Sequence, residues 1–259
     1  MAGSHDDRIR EAFTRQAETF EDESLNIAFT TGLPWLLGLI DPRPDDVVLD
    51  VAAGTGLVSR ALALGVDRVT AVDSTPAMIA EGRAAAEAEG RDNVEFVSGS
   101  AENLPFPDDS FTLVVTRFSL HHFSDPQPAI AEMVRVLRPG GRLVIKDLVA
   151  SNDPAEAACQ DHVEQLRDPS HLQMPPRGAI RTWLREHGLE VDTVAERDVD
   201  RPVEQWLEQA VTDPEAAALV REAFETELSG GKPTGLGPHH VDDELWFHQL
   251  WEVTVAHRR

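Results

Sequence analysis

Val47-Val48-Leu49-Asp50-Val51-Ala52-Ala53-Gly54-Thr55-Gly56 runs from a mostly apolar, β-branched run carrying one acid, Asp50, into a turn of small residues. Residues 57–64, which follow, carry helical spacing, so the segment reads as a buried strand, a tight turn and a helix. Gly54 and Gly56 tolerate the backbone conformations of such a turn and let a ligand touch the main chain. A dinucleotide fingerprint would read G-x-G-x-x-G. Here the small residues are Ala52, Gly54 and Gly56, with Asp50 before them, a spacing that disfavours a pyrophosphate.

The same grammar repeats outward from this turn. Short apolar runs at 69–72, 94–97, 111–116 and 142–148 are continuous enough to be strands buried on both faces, which predicts a parallel sheet. Helical stretches at 57–64, 76–89 and 128–137 lie between them, the last closed by Arg138-Pro139-Gly140-Gly141. Upstream, residues 6–40 predict two or three helices, interrupted at Gly32-Leu33-Pro34. Downstream the pattern loosens. Residues 151–176 read as helix or loop, 177–187 as an amphipathic helix stopped by Gly188, and 189–199 as a strand. Residues 202–228 read as helices, 230–238 as a Gly/Pro stretch and 246–256 as a final strand. The late helices, with the N-terminal ones, are placed to form a lid over the carboxyl edge of the sheet.

Asp73, about 20 residues past the first turn, ends the second strand, where its carboxylate can accept hydrogen bonds from both hydroxyls of a ribose. The ligand expected is a nucleoside. Plain structural roles stand beside these readings: the glycines can simply shape the turn, Asp73 can cap the helix beginning at Pro76, and Met78 can be core.

Composition narrows the partners. With 23 Lys+Arg against 46 Asp+Glu, the 259-residue chain has a formal charge of −23, which repels phosphate backbones and anionic lipid headgroups. Nucleic acid and membrane surfaces are therefore not expected. Only Lys146 and Lys232 are lysines, which fits either a halophile-type acidic surface or a genome favouring arginine codons. One cysteine, Cys159, excludes an intrachain disulfide and a cysteine-rich zinc site. The start, MAGSHDDRIR, lacks an apolar signal core, so a soluble cytoplasmic protein is expected.

Four segments together resemble the class I S-adenosylmethionine-dependent methyltransferases: VLDVAAGTG (48–56), AVDSTPAMI (71–79), SAENLPFPDDSFTLVVTRFSLHHF (100–123) and EMVRVLRPGGRLVIKD (132–147). The likeness is to the small-molecule branch similar to ubiquinone and menaquinone C-methyltransferases and covers about residues 10–150. It implies a Rossmann-like, seven-stranded, mostly parallel α/β sheet with one antiparallel strand near the C-terminus, N-terminal helices and a helical cap insertion. A single methyltransferase domain over 1–259 is implied, with N-terminal helices at 1–40, the cofactor-binding core at 44–150, cap insertions at 151–176 and 200–240, and the final strand at 241–259.

The resemblance further implies S-adenosylmethionine as cofactor and S-adenosylhomocysteine as product. Asp50, Ala52, Gly54 and Gly56 would hold the methionine moiety, and Asp73 the ribose diol. Ser74 and Met78 would surround the adenine, Ala101 and Glu102 would meet its polar edge, and Arg117 would lie beside the methionine carboxylate and sulfonium. Ser100 stands where the family often has Asp, and Ala52 where it commonly has Gly. Phe20, in FTRQAETF (13–20), takes the place of an aromatic, often Tyr, on the helix that closes over the cofactor.

The implied chemistry is in-line displacement at a methyl by an oxygen or carbon of a small, partly apolar molecule, helped by positioning and, where needed, a base. His121, His122, His171, His239 and His240 are candidate bases. His121 is best placed, at the carboxyl edge after the fourth strand, and His171 lies in the mixed-charge segment LRDPSHL (166–172). Trp206, Trp246, Phe224 and Met174 are residues for the pocket or, more simply, the core. His239-His240 with Asp242-Asp243 matches no metal motif, and no metal is expected. The alternatives are a nucleoside-binding protein with a non-methylating or cyclising role and a dehydrogenase using Asp73 for NAD; the missing G-x-G-x-x-G weighs against the latter. A monomer or homodimer is expected.

Overall fold

The computed structural model describes residues 5–22 and 27–259. Its first half alternates as the apolar runs require. Two N-terminal helices, α1 (His5–Gln16) and α2 (Ile27–Ile40), precede β1 (Val47–Val51), α3 (Leu57–Leu62), β2 (Arg68–Asp73), α4 (Pro76–Ala88) and β3 (Val94–Ser98). There follow β4 (Phe111–Arg117), α5 (Gln127–Val136) and β5 (Leu137–Leu148). The C-terminal part adds α6 (Pro154–Arg167), α7 (Ala179–Glu186), β6 (Leu189–Pro202), α8 (Val203–Gln209), α9 (Pro214–Leu228), β7 (His239–Val241) and β8 (Glu244–Arg258).

The strands form one sheet in the order β3-β2-β1-β4-β5-β8-β6. β1 to β5 pair in parallel, and β8 runs antiparallel between β5 and β6. These seven strands, with β8 the one antiparallel member near the C-terminus, match the expected sheet. The three-residue β7, pairing with the start of β8, is an eighth that its shortness hid.

Alternation along the central strands builds two cores. Leu49, Val51, Val114, Leu143 and Ile145 face a layer containing Ile130, Met133 and Val136 of α5 and Ile180 and Leu184 of α7. Val48, Leu113, Val115 and Val144 face the opposite layer, with Leu36 and Ile40 of α2 and Val58 and Leu62 of α3. The interruption expected at Gly32-Leu33-Pro34 does not occur, because α2 runs on through Pro34. An internal proline costs about 3 kcal/mol. Leu36 and Ile40, both fully buried, return about 1.5–3 kcal/mol each, so packing overrides the break.

A third core joins the late helices to the far end of β8 through Trp206, Val220, Phe224 and Phe247. Trp206, Phe224 and Met174 are therefore core residues, and Trp246 is half-buried away from the cavity described below. Among the described residues no helix is long and apolar enough to cross a membrane.

Candidate functional site

A cavity opens at the carboxyl edge of the parallel strands, where β1 has β2 on one side and β4 on the other. This is the point at which strand order reverses, the usual ligand position in open α/β sheets. The turn after β1 forms one end. Ala52, Gly54 and Gly56 all have positive φ, at 54°, 58° and 74°, so the turn needs left-handed backbone three times. Ala52 and Gly54 line the cavity. Gly56 does not, and its role differs from the one expected: a Cβ there would lie 2.8 Å from the Phe96 ring, so glycine is required for packing beneath the turn.

Asp73 lines the same end and accepts hydrogen bonds from the Gly54 and Thr75 backbone N–H groups, both at 2.8 Å. Burial pushes its pKa up against these bonds. The Thr75 side chain and the Ser74 backbone also donate to this carboxylate. Asp50, at the end of β1, accepts from Ser59 Oγ at 2.6 Å, and burial raises it to about 6, with Ser59 and Arg117 opposing the rise. Burial also lowers Arg117, to about 10, so it stays cationic at neutral pH. Ser74, Ser100, Ala101 and Glu102 complete this end, Ser100 and Glu102 at its exposed rim. Met78 is a correction: it is fully buried behind the turn and does not reach the wall.

Helix α1 and the segment after it form the roof. Phe20 lies above the turn, its ring 3.7 Å from where a Gly54 Cβ would stand, and it meets Phe13 edge-on at 6.3 Å. Phe13 also packs edge-on against His122, and His5 Nε2 is 2.7 Å from the His122 carbonyl. Glu21 fastens the segment, taking hydrogen bonds from Thr55 Oγ1 and from the Arg60 guanidinium.

The middle of the cavity holds His121, on a 3-10 turn after β4. Its Nδ1 is 2.5 Å from Asp147 Oδ1. Asp147 is wholly buried at the end of β5 and is held by the Leu120 and Leu148 N–H groups, each at 2.7 Å. Donation from Nδ1 to this carboxylate leaves Nε2 as the basic nitrogen. Burial works to lower the His121 pKa, but Asp147, with Glu164 and Asp168 behind it, outweighs burial and holds it above the ordinary value. His122 moves the other way, lowered by burial and by His121 beside it. His171 is a second correction. It is buried off the wall, bonded through Nε2 to Asp161 at 2.9 Å and stacked on His121 at 5.2 Å, so it supports His121 rather than meeting a ligand. His239 and His240 lie on β7, outside the cavity.

The far wall was not legible as a site. It carries Arg167 and Asp168 from the end of α6, Arg201 from β6, Gln209 from α8 and Gln249 from β8, with Leu148, Phe118 and Phe123 as apolar neighbours. Arg201 donates to Gln209 Oε1 at 2.9 Å and to Gln249 Oε1 at 3.2 Å. Of these residues only Arg167 and Asp168 fell in a segment with a readable signal, its mixed charge. Asp147 had one too, an acid at a strand's carboxyl end. Phe118 holds positive φ, 53°, anchored by its N–H to the Lys146 carbonyl at 2.8 Å. A bulky residue there is strained by about 1–3 kcal/mol, a cost that concentrates at functional sites.

Known proteins share the sequence pattern and the fold. A family model described as a methyltransferase domain matches residues 49–145. YcgJ of Bacillus subtilis, named an uncharacterized methyltransferase, is 32% identical over 200 residues, 77% of this chain and 79% of that protein. The chain belongs to the S-adenosylmethionine-dependent methyltransferases. The crystal structure of YcgJ superimposes on the methyltransferase with a TM-score of 0.81 at 26% identity, covering 89% of this chain and 99% of that one. The ubiquinone/menaquinone C-methyltransferase UbiE of Roseobacter denitrificans is 35% identical over 162 residues, 60% of this methyltransferase and 64% of its own length. S-adenosylmethionine is the cofactor, and the cavity end formed by Ala52, Gly54, Asp73 and Arg117 offers backbone groups, a carboxylate and a guanidinium.

Proposed function

We propose that the enzyme transfers methyl from S-adenosylmethionine to an oxygen or carbon of a small organic molecule by in-line displacement, with His121 as the base and Asp147 as its orienter. The observation that carries this reading is His121, backed by the buried Asp147, on the wall of the same cavity as the glycine turn and Asp73. Bound at that end, the cofactor supplies an electrophilic methyl on a sulfonium. Asp73 would take the ribose hydroxyls, Asp50 and Arg117 the charged groups of the methionine part, Ala101 and Glu102 the adenine edge, and Ser74 and Ser100 its surroundings. Phe20 and α1 would exclude water from above.

His121 Nε2 would accept the proton that the acceptor releases as it becomes nucleophilic. Asp147 keeps the imidazole in one tautomer and stabilises its cation. Arg201, Gln209 and Gln249 offer donors and acceptors for an oxygen-bearing acceptor, and Leu148, Phe118 and Phe123 offer apolar surface for the rest of it. Relatives named C-methyltransferases support carbon as the reacting atom. The whole chain is taken as one methyltransferase domain, with 151–176 and 200–240 as its acceptor-side cap. It acts in the cytoplasm as a monomer or homodimer on small molecules, since a charge of −23 opposes nucleic acid and anionic membranes.

The test is calorimetric titration of the protein with S-adenosylmethionine and S-adenosylhomocysteine, with NAD as control, repeated on Asp73→Ala. Binding of both nucleosides, lost in the variant, is expected, followed by an acceptor screen that reads S-adenosylhomocysteine release. In folded protein, absence of nucleoside binding would sink the reading. Turnover undiminished in His121→Ala would remove the base.

A further inference from the structure

Strands β6, β8 and β7 bring three metal-ligating side chains to one outward face, apart from the methyl-transfer cavity. Asp200 on β6 is registered opposite His248 on β8. His239 on β7 is registered opposite Trp246, two residues along β8 from His248 and hence on the same face. Their side chains converge. His248 Nδ1 lies 2.7 Å from Asp200 Oδ1, His239 Nε2 lies 3.6 Å from the same oxygen, and one ligand atom of each residue falls within 4.8 Å of the others. We propose that Asp200, His239 and His248 bind one transition-metal dication of the zinc type.

Four features beyond proximity support a built site. His239 Nδ1 is 3.2 Å from the Gly237 carbonyl; donating there leaves Nε2 unprotonated toward the cluster, the usual arrangement of a metal-bound imidazole. The His248 backbone N–H donates to the Leu236 carbonyl at 2.8 Å, which pins the loop before β7 to β8. Gly237 has φ 55°, and a Cβ on it would stand 3.0 Å from the His248 ring, so glycine leaves that ring its position. The two imidazoles stack at 4.6 Å with 20° between planes, which holds the rings side by side.

The donor set selects the ion. Two nitrogens and one carboxylate suit zinc, cobalt, nickel or copper, whereas calcium and magnesium need mostly oxygen. Bonds of about 2.0–2.1 Å around a tetrahedral ion place donors a little over 3 Å apart, so shifts of about an ångström would close the site on the metal. Asp200 and His248 are exposed, leaving a fourth position to water. The net charge of −23 raises the local concentration of cations. Asp200 and His248 are also chain neighbours of Arg201 and Gln249, which line the cavity from the other face of the ladder. A bound ion would tie β6 and β7 to β8 behind the acceptor wall.

The experiment uses the full chain stripped with chelator and dialysed, titrated calorimetrically with Zn²⁺ and followed with Co²⁺ by visible absorption. One equivalent of Zn²⁺ and an intense tetrahedral cobalt spectrum are expected. His239→Ala, His248→Ala and Asp200→Asn should each weaken zinc binding by at least the roughly 10- to 100-fold that loss of an outer-shell partner causes, while His240→Ala leaves it unchanged. Retained S-adenosylhomocysteine binding and an unchanged metal-free melting temperature show that the variants fold. No binding of one equivalent, binding that survives all three substitutions, or equal loss in His240→Ala would overturn the site.

Discussion

At the scale of single residues, the proposed role of His121 as base would make its protonation the control on turnover. Asp147 raises its pKa, and a base works only when neutral. Turnover should therefore fall as pH drops through a value above the ordinary 6.5, by about a decade per unit. Asp147→Asn removes the charge that lifts the pKa, so the limb of a kcat–pH profile should move down while the plateau falls about 10²- to 10⁴-fold. A limb unmoved in this variant would separate His121 from catalysis. The same shift has a stability consequence of opposite sense. A raised histidine pKa stabilises the fold below the unfolded value near 6.5 and loses that contribution as pH rises through the folded value. Ala52 carries a different burden. Its φ of 54° costs an alanine about 1–2 kcal/mol relative to glycine. Ala52→Gly, after the extra unfolded-state entropy of glycine, should stabilise the protein by about 0.5–1 kcal/mol in urea unfolding.

At the scale of elements, the roof and the turn are joined through Glu21. Its carboxylate bridges Thr55 of the turn and Arg60 of α3, and Arg60 is 3% exposed. Hydrogen bonds to charged groups contribute about 1.5–3 kcal/mol. Glu21→Gln should therefore raise the KM for S-adenosylmethionine about tenfold with kcat nearly unchanged, measured by steady-state kinetics at saturating acceptor. A fall in kcat without a change in KM would place Glu21 in the chemistry instead. The elements themselves were readable because β1, β2, β4 and β5 are continuous apolar runs and the glycine turn has one conformational solution. α2 was misread at Pro34 because local propensity says nothing of the two buried side chains that hold it. β7 went unseen because three residues carry no periodicity, and its pairing partner is what makes it a strand.

At the scale of the whole molecule, charge is the dominant feature. A formal −23 spread over one chain repels itself, and salt screens exposed charges beyond about 10 Å at 0.1 M. The melting temperature should rise between 0.05 and 1 M NaCl, with roughly 2–4 °C for each kcal/mol of relieved repulsion. A flat profile would mean that local pairs, such as Arg142–Asp46 and Arg135–Glu132, already disperse the charge. Buried arginine runs against this acidic background. Arg201 is 3% exposed and lowered to about 9 by burial and by Arg167, so it remains a cation in the far wall of the cavity.

By itself the sequence determined the alternation of strand and helix, the turn after β1 and the position of Asp73, and with them the end of the cavity proposed to hold the cofactor. Those features depend on contiguous residues whose spacing, size and β-branching act locally. Tertiary structure alone decided which residues meet across the chain. Asp147 reaches His121 across 26 positions, and Gln249 reaches Arg201 across 48. Asp200, His239 and His248 gather only because β6, β8 and β7 pair in one register. Met78 and His171 were misplaced for the same reason: burial depends on what packs over a side chain, and the packing elements come from distant parts of the chain.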